Sequence, residues 1–136
     1  MAIRQAIPFF RVANIARSVA FYEALGFAIK NRWDPDGELR WCMLDRDGVS
    51  LMLQTLAAPA AGLGAGTSLT FMCDDALAIY AEARAAGLAP DEPFVGNGLW
   101  VTQFRDPDGY AIEFSSPTSV AEDTTLAEWK ASSASA

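Results

Sequence analysis

The sequence predicts an α+β fold built from tandem βαβββ modules, whose strands form curved, barrel-like mixed sheets. Three observations predict it. The phrase DRDGVSLML at Asp45–Leu53 returns as DPDGYAIEF at Asp106–Phe114, a displacement of 106 − 45 = 61. The same displacement carries Phe10 onto Phe71, Asn14 onto Asp75 and Gly26 onto Gly87, and a single offset through start, middle and end marks a duplicated supersecondary unit. In each copy a capped, glycine-stopped helix follows one strand and precedes three more, which tight turns join. A parallel sheet would need a crossover between successive strands.

Each element has a local reason. AIPFFRV (residues 6–12) is β-rich, and Asn14 then stands as N-cap to IARSVAFYEAL, in which Ile15, Val19 and Tyr22 recur at helical spacing before the stop at Gly26. FAIKNRW, LRWCML and VSLMLQT follow as antiparallel strands, separated by the turns DPDG (34–37) and DRDG (45–48). The second copy reads as strand SLTFMC, Asp75 capping ALAIYAEARAA, Gly87 as stop, and strands near residues 90–95, 99–105 and 110–115, with GNG (96–98) replacing the first copy's DPDG. The modules span about residues 5–55 and 67–116 of one domain, 1–117. An Ala-, Gly- and Pro-rich connector, 56–66, lies between them. In the tail, 118–136, Thr125 and Glu128 resemble a capping box for a short docking helix with Trp129 as anchor, and the terminal SSASA is expected to fray.

Composition narrows the chemistry. The 136 residues contain no histidine, which removes Ser-His-Asp and Cys-His catalysis, histidine proton shuttles and imidazole metal ligation together. Cys42 and Cys73 sit in apolar strand-like runs and read as small buried hydrophobes, with no disulfide expected. The formal charge of −7 disfavours nucleic acid and anionic lipid and suits a cationic ligand. With no long apolar run and too short an apolar stretch in MAIRQAIPFF for a signal peptide, the expected location is the cytoplasm, without membrane contact.

Period-two alternation sorts the strand faces. Val49, Leu51 and Leu53, and likewise Tyr110, Ile112 and Phe114, form apolar sides that pack on a helix. The opposite side should line a groove. From the first copy it presents Ile7, Phe9, Arg11, Met52 and Gln54; from the second, Ser68, Thr70, Met72, Glu113 and Ser115. Trp41 and Trp100 lie on third strands, and Trp100, beside the GNG turn, is the tryptophan expected to reach the groove. Arg11 suits an anionic ligand group or a pairing with Glu113.

Two βαβββ modules carrying FYEALGF (21–27) and DPDGYAIEF (106–114) resemble the vicinal oxygen chelate superfamily of glyoxalases, extradiol dioxygenases and bleomycin resistance proteins. In metal-using members, the resemblance implies, His, Glu or Gln on the first and last strand of each module hold the ion. The matching positions here are Ile7, Met52, Ser68 and Glu113. Only Glu113 has the chemistry of a ligand for a hard divalent cation. The expectation is therefore no metal and no cofactor, and the resemblance points to the metal-free bleomycin-resistance type: homodimers that sequester cationic, aromatic compounds in hydrophobic and acidic grooves.

The expected function is metal-independent binding of such a small molecule. Two alternatives stand beside it: a lyase, isomerase or dioxygenase-type enzyme with Glu113 as general base or metal ligand, and a dimeric scaffold without a ligand.

Overall fold

The computed structural model describes residues 1–56, 58 and 60–134. Ala57 and Pro59 of the expected connector, and Ser135 and Ala136 of the expected frayed end, lie outside the described residues. The chain divides into two compact units, Met1–Ala65 with Pro107–Gly109, and Gly66–Asp106 with Tyr110–Ala136. No helix among the described residues is long and apolar enough to cross a membrane.

In the first unit, β1 (Phe9–Val12), α1 (Ile15–Ala24), β2 (Ala28–Trp33), β3 (Trp41–Arg46) and β4 (Val49–Thr55) build a mixed sheet of order β1-β4-β3-β2. Strand β1 runs parallel to β4, and the other pairs are antiparallel. The Asn14 side chain accepts from Arg17 N at 3.1 Å and begins α1. Gly26, at φ 87°, ends it, a backbone conformation that side chains with a Cβ resist. A helix of ten residues is marginal alone, so α1 depends on its buried face of Ile15, Val19 and Tyr22. These join Phe10, Val12, Leu44, Leu51 and Leu53 in the core. Edge strand β2 is almost wholly exposed. It carries Lys30 and Arg32 and a register shift between Ile29 and Asn31, features that discourage edge-to-edge pairing.

The second unit repeats the plan with β5 (Ser68–Met72), α2 (Ala76–Ala85), β6 (Phe94–Gly96), β7 (Leu99–Arg105) and β8 (Ala111–Pro117), in the order β5-β8-β7-β6. Asp75 caps α2 by accepting from Leu77 N and Ala78 N, and Gly87 stops it at φ 89°. Two buried hydroxyls fix the helix start on the sheet: Ser116 Oγ accepts from Ala76 N, and Thr102 Oγ1 donates to Ala76 O, both at 2.8 Å. Phe71, Phe104 and Phe114 form an aromatic core, with Phe114 stacked on Phe71 at 5.1 Å and edge-on to Phe104 at 5.9 Å between centroids.

The last helix, α3 (Leu126–Ala134), is an anchored element. Thr125 Oγ1 accepts from Glu128 N at 3.2 Å, as the capping box requires. The preceding residues run along β6, where Val95 N donates to Thr124 O and Asp123 N to Val95 O, both at 2.9 Å, and Phe94 bridges Thr125. The tail thereby covers the edge of the second sheet. Helix α3 continues through Ser132, Ser133 and Ala134, which were expected to fray.

Strand starts are the other departures. Strand β1 begins at Phe9 rather than Ala6, and β6 at Phe94 rather than near Pro90, because Pro8, Pro90 and Pro93 have no N–H to give to a ladder.

Candidate functional site: the open sheet faces

The parallel pairs obey the 61-residue displacement. Phe9 faces Met52 and Thr70 faces Glu113; Phe10 faces Leu53 and Phe71 faces Phe114. The antiparallel pairs do not. Met43 faces Met52, whereas Gln103, one place short of the displaced position, faces Glu113.

The turns cause this shift. In DRDG, Arg46 pairs with Val49 across a two-residue hairpin turn, with Asp47 at φ 53° and Gly48 at φ 80°. In DPDG the residue matching Arg46 is Pro107, which has neither the N–H nor the φ freedom for that pairing. Strand pairing there ends at Arg105 and Ala111, and Asp106 Oδ1 accepts from Tyr110 N at 2.9 Å to close the wider loop.

On the face of the second sheet away from α2, Glu113 is the central acidic group. Gln103 Nε2 donates to its Oε1 at 2.8 Å and Thr70 Oγ1 to its Oε2 at 3.3 Å. Both partners are neutral, so they orient the carboxylate without cancelling its charge. Ser68 and Met72 lie exposed along β5 on the same face. Ser115 shares the face by register but is only 2% exposed, so a ligand on the open face would not meet it.

Trp100 is a correction. It pairs with Ser116, on the helix side of the sheet, and is buried with Ala76, Val95 and Leu126. The one-place shift of β7 against β8 decides this: Val101 pairs with Ser115, at the position matching Gln54, which pairs with Trp41, so Trp100 falls on the opposite side of its sheet from Trp41. A Trp100 on the groove face would put Gln103, three residues along the strand, on the helix side, and the observed register reverses both.

The corresponding row in the first sheet is apolar. Met52 stands where the second sheet has Glu113, with Phe9 and Met43 on either side. The next row runs Arg11, Gln54, Trp41 and Trp33 from β1 to β2. The Arg11 guanidinium lies 4.1 Å from the centroid of the Phe9 ring, a cation–π contact that flattens it on the sheet. Ile7 precedes β1 and is half-buried. At one end of this sheet a groove of about 360 Å³ is lined by Trp33, Pro35, Arg40 and Gln54. Beside it Arg32 donates to both oxygens of Asp34, at 2.9 and 2.7 Å, and holds that carboxyl below its ordinary range.

Comparison with known proteins rests on this topology. The family model of the Glyoxalase/Bleomycin resistance protein/Dioxygenase superfamily matches residues 5–114. The chain belongs to this superfamily. A search of curated proteins finds no match. Among solved structures, a bleomycin-binding protein complexed with bleomycin is similar at 23% identity and a TM-score of 0.68, covering 84% of this chain and 98% of that one. A bleomycin resistance determinant encoded on the transposon Tn5 has 23% identity and a TM-score of 0.68, with coverages of 87% and 100%. An antibiotic-binding protein from a Streptomyces species, TnmS3, has 24% identity and a TM-score of 0.68, with coverages of 87% and 99%. At these identities the likeness shows the fold.

The superfamily includes metal-using enzymes, so the four equivalent positions can be tested against a divalent ion. Ile7 and Met52 offer no hard donor, Ser68 offers a neutral hydroxyl, and both oxygens of Glu113 already accept hydrogen bonds. Among the described residues no three His, Cys, Asp or Glu side chains come together as a metal-binding group. These residues do not fit the ion.

Proposed function

We propose that this protein binds a small cationic, aromatic molecule without a metal ion, as a cytoplasmic homodimer. The observation that carries the reading is the contrast between equivalent rows: Thr70–Glu113–Gln103 in one sheet, Phe9–Met52–Met43 in the other. The first row holds an anion in place with neutral donors, ready for a cationic group. The second offers an aromatic ring and two thioethers, soft surfaces that accommodate flat ligands. Solved structures of the same fold include a protein complexed with bleomycin and another named as antibiotic-binding, which supports small-molecule binding as the use of this scaffold. The formal charge of −7 favours a cationic over an anionic ligand on these faces.

Calorimetric titration with bleomycin and with ethidium, before and after dialysis against chelator, tests the reading. The expected result is saturable binding of at least one of them, unchanged by chelator and weakened roughly tenfold or more in Glu113→Gln. Equal affinity in that variant, or binding that requires added Zn²⁺ or Mn²⁺, would overturn it. Sedimentation giving a monomer at micromolar concentration would remove the homodimer.

A further inference from the structure

A cavity of about 740 Å³ lies along α2 and α3 within the second unit, lined by Leu77, Tyr80 and Arg84 of α2 and by Leu126, Trp129 and Lys130 of α3. We infer that this groove is a second binding site, selective for a small aromatic anion. It goes beyond the reading of the open sheet faces and has the opposite charge preference.

Its walls are fixed by bonds that do not involve a ligand. The start of α2 is held by Ser116 and Thr102, and that of α3 by Leu126 N donating to Pro93 O and Ala127 N to Glu92 Oε1, both at 2.9 Å. Trp129 is braced edge-on against the buried Trp100 at 5.7 Å between centroids, and is still 36% exposed. A pre-formed cavity of this volume is within the range of small-molecule sites.

Its chemistry sets the ligand class. Tyr80 and Trp129 supply aromatic surface, and Arg84 and Lys130 supply two positive charges on a chain with 10 basic against 17 acidic residues. The acidic lining residue, Asp75, is occupied in capping α2. The Arg84 guanidinium sits 5.5 Å from the Tyr80 ring centroid and donates to the Tyr80 hydroxyl at 3.4 Å. A guanidinium has five N–H donors in a planar fork, so others remain to meet a carboxylate or sulfonate whose ring lies on Tyr80 or Trp129.

The test is calorimetric titration of the full chain with naphthalene-2-sulfonate and its neutral counterpart naphthalene-2-sulfonamide, with NMR shifts locating the probe. The sulfonate is expected to bind saturably, about tenfold tighter than the sulfonamide, shifting the Trp129 indole and weakening as salt rises. The double variant Arg84→Gln, Lys130→Gln should lose about tenfold in affinity with an unchanged melting temperature, and Glu113→Gln should bind the sulfonate as the wild type does. Equal affinity for the two probes, shifts confined to the open sheet faces, or an unaffected double variant would overturn the inference. So would a dimer that Trp129→Ala converts to monomer, since a second copy would then be the occupant.

Discussion

The carboxylate of Asp108 accepts a hydrogen bond from the hydroxyl of Ser18 at 3.4 Å, ninety residues away in sequence, and both side chains are buried. Its other oxygen accepts from Ala13 N at 3.1 Å and lies 3.7 Å from the Arg17 guanidinium. One carboxylate therefore satisfies a backbone donor and a hydroxyl at the start of α1. Its counterpart in the first copy, Asp47, has a side chain 87% exposed.

Asp108→Ala should destabilise by about 2–4 kcal/mol, because Ala13 N and Ser18 Oγ lose their buried acceptor. Asp47→Ala should stay within about 0.5 kcal/mol of the wild type. Urea unfolding midpoints of the two variants make the comparison, and equal losses would show that the buried carboxylate does not anchor the helix.

The helix stops separate by what surrounds them. A Cβ at Gly26 would stand 3.0 Å from Arg46 Nη1, in a guanidinium that donates to Leu25 O at 2.6 Å, whereas a Cβ at Gly87 would meet nothing within 4 Å. Both residues have φ near +90°. Gly87→Ala should cost about 1 kcal/mol for the backbone alone, and Gly26→Ala measurably more, because the Arg46 contact must also give way. Thermal melts of both variants check the order.

Truncation after Pro117 should be costly. It would remove the partners of Val95 on the β6 edge, and would uncover Trp100 by taking away Leu126 and Trp129. Trp100→Ala in the full chain should cost about 3–5 kcal/mol. The truncated chain is expected to lose a similar amount and to aggregate through the exposed strand edge, which light scattering would detect. An unchanged melt would reduce α3 to an ornament of the second unit.

Stability at alkaline pH should report on Cys42. Burial pushes its thiol up to about 11, against the opposing charge of Arg32, while an unfolded thiol titrates near about 8.5. The folded state thus holds the proton longer. The associated stability is fully present below about pH 8.5 and is lost as pH rises toward 11, by an amount on the order of 3 kcal/mol at most. Denaturant midpoints at pH 8 and pH 10 should fall further in the wild type than in Cys42→Ala, and parallel declines would assign the effect to other groups.

The sequence by itself determined the tandem modules, the helices and their caps, because each of these rests on contacts within a few residues. Asn14, Asp75, Gly26 and Gly87 act on backbone next to them. It also determined the alternation that puts Glu113 and Met52 on open faces, since strand period does not depend on partners. The partners of Glu113 were decided by tertiary structure. Gln103 reaches it only because Pro107 widens a turn and moves the β7–β8 register by one place. Trp100 went to the helix side for the same reason, because that shift pairs it with Ser116, and the tail that covers it arrives from residues 124–129. Even the repeated phrase diverged, one aspartate left in solvent and the other buried against α1. Repeats predict local geometry, but register and burial depend on which surfaces meet, and those are chosen by packing between segments far apart in the chain.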